Sequence, residues 1–330
     1  MHDQHPVLTD EKKKELLHTF RQSLEDVPDS HRFTDTLLLQ FLVGRSWDVD
    51  AAKKQFVMSY NWRKDNHVDR LPCATRQNKL PLLVNVRGYD AIDDGNVESK
   101  PGLSQTAIRI ANCMGGDCFH KVDREGHPIM IDRTGYHDAK KLCHEVSIDE
   151  ISIFQTASNE FLNRVIMPEC SQKAGRIIFK ETVIFDCTHM GIRQFQMTAL
   201  HYLKSVIDTI QNYYPETLHR LFIVNAPGIL HTIWRIVKPW LEQRTADKVF
   251  ILNHAETPKV LLKYIAPENL PRFLGGSCTC DHIEGGCVPS VMLGNVPPLK
   301  VTEYNDNVST PYNTDVMQAA LEDNLYRNPT

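Results

Sequence analysis

Residues 206–252 read VIDTIQNYYPETLHRLFIVNAPGILHTIWRIVKPWLEQRTADKVFIL, and this stretch decides the fold of the chain. Its pattern predicts a helix, a turn, a short buried strand, a loop, an amphipathic helix and a second strand. Strands that alternate with helices are typical of an α/β domain with a parallel sheet. We therefore expect an α/β core.

The amphipathic helix of this stretch has a broad apolar stripe. Its apolar residues recur at intervals of three or four: Ile229, Leu230, Ile233, Trp234, Val237, Trp240 and Leu241. Tryptophan favours boundaries between apolar and aqueous surroundings. The stripe fits either a core helix that covers a sheet or a lid over an apolar cavity that opens on a bilayer. Pro239 within the helix predicts a kink.

Four short apolar runs predict strands, at residues 127–135, 181–191, 221–228 and 248–252. Helical stretches separate them, which favours parallel strands. The N-terminal part is predicted to be helical, with Asp10 capping a first helix, Thr34 a second, and Asp48 or Asp50 a third.

The chain divides into three predicted parts. We expect a helical module over residues 1–85 and an α/β domain over residues 107–290, joined by a polar loop at residues 88–106. Residues 291–330 are polar and are expected to form a C-terminal tail.

Composition limits the class of protein. The chain has 330 residues, 42% of them hydrophobic and 24% charged, and a net charge of −4. This balance is ordinary for a globular protein and gives no general attraction to nucleic acid. No apolar run is long enough to span a bilayer, and the N-terminus lacks the apolar core of a signal peptide. We expect a cytoplasmic monomer, peripheral on intracellular membranes, whose nine cysteines are mostly free thiols.

Several segments resemble the CRAL-TRIO lipid-binding family. Residues 37–66 (LLLQFLVGRSWDVDAAKKQFVMSYNWRKDN) are similar to its N-terminal helical module, and residues 119–135 (FHKVDREGHPIMIDRTG) to the first strands of its lipid-binding domain. Residues 212–252 and 270–287 (LPRFLGGSCTCDHIEGGC) resemble the second half of that domain, as found in phosphatidylinositol transfer proteins of the Sec-fourteen type. The resemblance implies a hydrophobic pocket for one lipid, with a gate at residues 229–244.

The resemblance also implies site residues. The gate residues are Ile229, Ile233, Trp234, Val237 and Trp240. The inositol-headgroup positions of the family match Arg45, Asp123, Glu216, Thr245 and Lys248. Carboxylates and hydroxyls can hydrogen-bond an inositol ring, and Lys or Arg can offset its phosphate charge. Without the resemblance, these residues would be interpreted as ordinary solvated side chains.

At several ligand-binding positions this sequence differs from the family pattern, which affects the kind of lipid that it can bind. The positions that hold the lipid phosphate in fungal carriers are Glu181 and Val183 here, and Thr182 between them points to the other face of the strand. A carboxylate repels a phosphate unless it is protonated or paired. Where the family has the tyrosines of a choline cage, and a basic residue after Arg45, this chain has Phe119, Met130, Asn159 and Ser46.

One motif suggests an enzyme instead. Residues 187–193 fit C-x₅-R, the phosphate loop of cysteine phosphatases, in which Cys187 would attack phosphorus and Arg193 would hold its oxygens. Asp186 argues against this chemistry, because a neighbouring carboxylate raises the pKa of a thiol. We therefore expect no enzyme and keep a cysteine phosphatase as the alternative from another class.

A second motif suggests a metal. Cys278, Cys280 and Cys287, with His282 nearby, could bind zinc, but their spacing lacks the paired arms of common structural sites. We interpret them as a packed turn and predict no metal site. His120 and His189 have no partner at ligand spacing, and we expect both to be solvated.

The residues and the resemblance together predict a lipid carrier that transfers or presents phosphatidylinositol between membranes. Its partners would be one phospholipid and, transiently, a membrane surface, but not nucleic acid. No cofactor is expected beyond the bound lipid. The alternative carrier would hold a non-phospholipid ligand such as a sterol, another lipid alcohol or haem.

Overall fold

The computed structural model of the protein describes residues 8–66, 68, 84–85, 109–191 and 197–298. The predicted loop at residues 88–106 and the tail from residue 299 onward lie outside the described residues, as does Arg193 of the C-x₅-R motif. Within the described parts of the chain, no helix is long and apolar enough to cross a membrane.

Three helices form the N-terminal module: α1 (Asp10–Ser23), α2 (Asp35–Gly44) and α3 (Val49–Asp65). The predicted caps of the last two are confirmed, because Thr34 and Asp48 accept hydrogen bonds from the amides of the first helical turns at 3.2 and 2.9 Å. The cap of α1 was wrongly predicted. Thr9 caps it, since its hydroxyl accepts from the Lys12 amide at 3.2 Å, and Asp10 is the first helical residue.

The core of the module is aromatic. The ring of Phe56 makes edge-on contacts with Phe20, Phe33 and Phe41 at centroid distances of 6.0, 4.8 and 4.9 Å. Edge-on pairs place the positive rim of one ring on the negative face of another, which adds to the apolar burial. The module therefore has a hydrophobic core of its own.

A six-stranded sheet follows, with β1 (Val84–Asn85), β2 (Asp117–Val122), β3 (Pro128–Asp132), β4 (Glu181–Asp186), β5 (Leu218–Val224) and β6 (Val249–Ile251) in that order across it. Strands β3 to β6 are parallel, as predicted. Strands β1 and β2 pair antiparallel, and Gly126 in the left-handed region (φ 84°) closes the β2–β3 hairpin. The sheet is therefore mixed.

The remaining helices of the described chain are α4 (Ala139–Glu145), α5 (Ile148–Phe161), α6 (Met167–Ala174), α7 (Met197–Tyr213), α8 (Leu230–Val237), α9 (Gln243–Ala246) and α10 (Thr257–Tyr264). The amphipathic helix predicted over residues 229–241 is shorter than expected. It ends at Val237, and Lys238–Trp240 form a 3₁₀ turn. Pro239 has no amide hydrogen to donate, and its ring would clash with the carbonyl four residues earlier. The α-helical hydrogen bonding therefore stops there.

The two faces of the sheet are covered by different parts of the chain. Face 1 carries Cys118, Ile131, Ile184 and Phe222 and packs against α10 and the segment 270–293. Face 2 carries Phe119, Met130, Phe185 and Ile223 and packs against the end of α5, the π-helical turn Leu162–Ile166, α6 and Leu230 of α8. The predicted gate helix therefore lies over face 2.

The helical module docks on α5 and α7. Trp62 stacks on Tyr213 with ring centroids 4.0 Å apart, and Ser59 donates to the Tyr213 carbonyl at 3.1 Å. Arg63 forms two hydrogen bonds with the buried carboxylate of Glu160, at 2.8 and 2.9 Å. These contacts bring the end of α2 close to the loop before β5.

Candidate functional site

A group of charged side chains surrounds Glu216, in the loop before β5. Its carboxylate pairs with Lys180 and Arg244 at 2.8 Å and with Lys248 at 3.2 Å. Arg244 also donates to the carbonyls of Val43 and Gly44 at 2.9 and 3.0 Å. The end of α2 is thereby linked to the C-terminal end of the predicted gate.

Proton affinities in this group follow from the charges. Burial alone would raise the pKa of Glu216, but Lys180, Lys248 and Arg244 outweigh it and lower the pKa to about 2. Burial also lowers the pKa of Lys248, against the pull of the Glu216 carboxylate. Glu216 is therefore ionised at neutral pH, and it neutralises only part of the positive charge around it.

The group extends to Arg45 at the C-terminal end of α2. Its guanidinium donates to Gln55 at 2.8 Å and pairs with Glu242 at 3.2 Å. We call the six residues Arg45, Lys180, Glu216, Glu242, Arg244 and Lys248 the basic cluster. Four cations face two carboxylates, so the basic cluster carries an excess of two positive charges and is suited to an anion.

Four of the five predicted headgroup residues meet in this region. Arg45, Glu216 and Lys248 belong to the basic cluster, and Thr245 precedes Lys248 by one turn, where its carbonyl accepts the Lys248 amide at 3.1 Å. Sequence reasoning missed the other members of the basic cluster. Only the i, i+4 spacing of Arg244 and Lys248 was a signal, and it was weak.

Asp123 occupies a different place, in the β2–β3 hairpin. Its carboxylate accepts from the Thr182 hydroxyl at 2.7 Å and from the amides of Glu125 and His127 at 2.9 and 3.0 Å. Burial would raise its pKa, but hydrogen bonds from His127 and Thr182 lower it. These contacts give Asp123 a role in closing the hairpin.

Glu181 and Val183 lie on face 2 of the sheet, the face of Met130, which pairs with Val183. Thr182 between them is fully buried on the other side, where it holds Asp123. Burial, with a contribution from Asp117, raises the pKa of Glu181 to about 8. Glu181 is therefore mostly protonated at neutral pH, which weakens the repulsion expected between its carboxylate and a phosphate.

The choline-cage positions are part of a packed core. Phe119 and Met130 are paired across β2 and β3 and contact the hydrophobic cluster of Phe161, Leu162 and Ile166. Asn159 is buried on α5, and its side-chain nitrogen has no hydrogen-bond partner within the part of the chain that the structure describes. One aromatic ring among these three residues leaves the multi-ring cage of the family incomplete.

The gate residues differ in burial. Leu230 and Val237 are buried, whereas Ile229, Ile233, Trp234 and Trp240 are half-buried. On the outer side of the same helix, Ile236 is 46% exposed. An exposed apolar side chain on an amphipathic helix can enter a membrane interface without disturbing the core.

Cys187 is poorly suited to nucleophilic chemistry. Its side chain is 3% exposed, and burial, with contributions from Asp186 and Asp132, raises the pKa of its thiol to about 12. Asp186 also accepts hydrogen bonds from the amide and the hydroxyl of Thr188, at 3.0 and 2.6 Å, so this loop amide is already occupied. A phosphate loop needs a thiolate and free amides.

The expectation that His120 is solvated was wrong. His120 is fully buried on face 1, because alternation along β2 places it on the same side as Cys118. Its Nδ1 lies 3.9 Å from Sγ of Cys280, while the predicted neighbour His282 is exposed. His189 is exposed, as expected, and its ring lies edge-on to that of Tyr136 with the centroids 5.0 Å apart.

Comparison with known proteins agrees with this architecture. Residues 114–276 match the CRAL/TRIO domain model. The crystal structure of Sfh5 shares the fold, with a TM-score of 0.54 at 12% identity over 77% of this chain and 85% of that one.

Relatives among characterised proteins are lipid transfer proteins. The chain is 31% identical to the phosphatidylinositol/phosphatidylcholine transfer protein SFH11 of Arabidopsis thaliana over 83% of its own length and 66% of that protein. It is 30% identical to SFH7 of the same plant, of which it spans 41%, and 28% identical to the SEC14 cytosolic factor of Kluyveromyces lactis, of which it spans 88%. The chain therefore belongs to the CRAL/TRIO family, as a homologue of the Sec14-like transfer proteins.

Proposed function

We propose that this protein binds one lipid molecule and transfers or presents it between membranes, with phosphatidylinositol as the favoured ligand. The observation that carries the proposal is the excess of positive charge in the basic cluster. Partly buried charges are costly unless an opposite charge compensates them. A lipid phosphate bound here would supply that charge, and Thr245 and Glu242 would hydrogen-bond the hydroxyls of an inositol ring.

Residues 229–244 would serve as the gate. The half-buried Ile233 and Trp234 would close over the acyl chains, and the exposed Ile236 would enter the bilayer surface. Each methylene group moved out of water contributes about 0.8 kcal/mol, so extraction of a lipid needs a closed apolar cavity. The protein would then act as a peripheral membrane protein in the cytoplasm.

A second candidate is a carrier of a ligand with a hydroxyl group, such as a sterol or another lipid alcohol. Glu181 favours it, because an uncharged carboxyl group in an apolar setting can both donate and accept a hydrogen bond with a hydroxyl. In this case the basic cluster would join the helical module to the α/β domain and would not touch the ligand. Haem stays an alternative on the resemblance alone.

Transfer of labelled lipids between vesicles tests the proposal. We expect phosphatidylinositol to move faster than phosphatidylcholine. Lys248→Ala should lower phosphatidylinositol transfer about tenfold or more, because a hydrogen bond to a charged group contributes about 1.5–3 kcal/mol. Glu216 keeps two other cationic partners in this variant, so the fold should persist. The matched control is Lys259→Ala, which removes an exposed lysine from α10.

The headgroup site is ruled out if phosphatidylinositol and phosphatidylcholine are transferred equally fast and if Lys248→Ala transfers phosphatidylinositol at the same rate as Lys259→Ala. Extraction of the purified protein followed by mass spectrometry separates the two candidates. A bound phospholipid supports the first candidate, and a bound sterol or lipid alcohol supports the second.

A further inference from the structure

Four potential metal ligands meet on face 1 of the sheet, on the side opposite the predicted gate. They are His120 of β2 and Cys278, Cys280 and Cys287 of the C-terminal segment, and all four side chains are buried. Each offers one ligand atom, and these atoms lie within 4.8 Å of one another. His120 and Cys280 are 160 residues apart in the chain.

The spacing of the ligand atoms fits a tetrahedral metal ion. A zinc–sulfur bond of about 2.3 Å implies about 3.8 Å between two sulfurs of a tetrahedral site. Cys278 and Cys280 have their sulfurs 3.4 Å apart, and Cys280 Sγ lies 3.9 Å from Nδ1 of His120. Small side-chain rotations would therefore bring the four atoms to zinc-binding distances.

Hydrogen bonds fix the backbone around the three cysteines. This fixed backbone holds their thiols close together. The Cys278 amide donates to the Leu270 carbonyl at 3.0 Å, and the Cys280 carbonyl accepts from the Ile283 amide at 2.9 Å. Cys287 is held through its carbonyl, which accepts from the thiol of Cys118 at 3.3 Å. The Nε2 atom of His120 is buried and has no hydrogen-bond partner among the described residues.

A disulfide explains less of this arrangement. A bond between Cys278 and Cys280 would leave Cys287 and His120 with no role in a buried polar site. Three thiolates and one imidazole are a donor set that suits zinc, whereas calcium and magnesium require oxygen ligands. A zinc ion would engage all four groups at once.

We propose that His120, Cys278, Cys280 and Cys287 bind one structural zinc ion. Zinc with three thiolates and a neutral imidazole has a net charge of −1. Lys121 lies beside it, lining with Cys278 and Cys280 a cleft of about 450 Å³. This lysine supplies the compensating charge, as outer partners of metal sites commonly do.

The ion would tie the β2–β3 hairpin to the segment that covers face 1. Four protein ligands fill the tetrahedron, which is typical of structural zinc and leaves no position for a substrate. Because binding energy is available only in the folded state, zinc would stabilise the protein. The site lies on the face opposite the predicted gate, so it does not depend on the proposed lipid ligand.

Metal analysis of the purified full-length protein tests the proposal. Wild-type protein from zinc-supplemented cells should contain one zinc ion per chain, and the cobalt-substituted form should show the visible absorption of tetrahedral thiolate coordination. His120→Ala and Cys287→Ser should lower zinc affinity at least about tenfold. The controls His282→Ala, in the same cleft, and Cys170→Ser, a buried cysteine on face 2, should keep the ion.

If the ligand variants fail to fold, wild-type protein stripped by a chelator gives the answer. One saturable zinc site, measured against a chromophoric chelator and accompanied by a higher Tm, supports the proposal. It is overturned if zinc-stripped protein has no such site, if Cys278 and Cys280 form a disulfide in the native protein, or if His282→Ala loses zinc while His120→Ala keeps it.

Discussion

At the scale of single residues, two glutamates of this protein hold their protons with very different strengths. Glu216 is surrounded by three cations, which lower its pKa to about 2. Glu181 is buried beside Asp117, and its pKa rises to about 8. The two side chains have the same intrinsic acidity, so the surroundings alone separate them. At neutral pH one is a charged partner of the basic cluster and the other is a neutral group on face 2.

The raised pKa of Glu181 predicts a pH dependence of stability. The folded protein binds this proton more tightly than the unfolded chain, whose glutamate has a pKa near 4.5. The contribution of Glu181 to the free energy of unfolding is therefore fully present below pH 4.5 and is lost as the pH rises toward about 8. Glu181→Gln cannot ionise, so its stability should fall less than that of the wild type over this range.

Urea unfolding at several pH values measures this difference. The exposed Glu11 provides the control, and Glu11→Gln should follow the wild-type profile. If wild type and Glu181→Gln change in parallel between pH 4.5 and 8, Glu181 is ionised in the folded protein, and the repulsion of a lipid phosphate returns.

At the scale of elements, α8 is short and strongly one-sided. It has two turns, one side anchored by Leu230 and Val237 in the core and the other exposing Ile236 to solvent. Pro239 separates this helix from the turn that carries Trp240. A short helix with few buried anchors opens more easily than a long one, because less apolar surface leaves the core.

The exposed position allows membrane contact to be tested without damage to the core. Ile236→Asp should change the free energy of unfolding by less than about 0.5 kcal/mol, as is usual at the surface. It should nevertheless lower vesicle binding and lipid transfer, because a charge would have to enter the apolar interface. Tryptophan emission of the wild type should shift to the blue on addition of vesicles, and that shift should weaken in the variant.

Leu230→Ala is the contrasting variant on the same helix. It removes a buried side chain, so it should cost about 2–5 kcal/mol of stability. Normal vesicle binding and transfer by Ile236→Asp, with tryptophan emission indifferent to vesicles, would show that α8 is a core helix.

At the scale of the whole molecule, the helical module and the α/β domain are joined by a buried ion pair network. Glu160 of α5 is 1% exposed and pairs with Arg63 of α3 and with Arg164, and it accepts a hydrogen bond from the Tyr214 hydroxyl at 2.7 Å. Burial would raise its pKa, but Arg63 and Arg164 lower it to about 2. The network orients the module that contributes Arg45 to the basic cluster.

Removing the carboxylate of Glu160 should strongly lower the stability of the protein. Glu160→Ala leaves two arginines without their shared partner, and we expect a loss of about 3–5 kcal/mol in urea unfolding at pH 7. Because the folded pKa is depressed, the wild type should lose this contribution as the pH falls from about 4.5 toward 2. The control is Asp208→Ala in the exposed pair Lys204–Asp208, which should cost less than about 1 kcal/mol. If Glu160→Ala and Asp208→Ala lower the free energy of unfolding equally, the ion pairs of Glu160 contribute little to stability.

Local pattern was enough to predict much of the fold. The apolar runs that became β3 to β6, the caps Thr34 and Asp48 and the stripe of α8 were all readable from the sequence. Each depends on residues within one or two turns of each other, where periodicity and capping chemistry act. The resemblance to the CRAL-TRIO family indicated that residues 119–135 contain the first strands of the domain, and it supplied three members of the basic cluster.

The tertiary structure alone decided which residues distant in sequence lie next to each other. Lys180 and Arg244 meet at Glu216, and His120 meets Cys280 across 160 residues, because strand order and helix docking bring distant segments together. Proton affinities are decided in the same way, since burial and neighbouring charges exist only after folding. Sequence by itself therefore determined the four parallel strands, the helices of the N-terminal module and the family of this protein. The tertiary structure decided which charges and which potential metal ligands share a site, because that depends on distances which sequence separation does not contain.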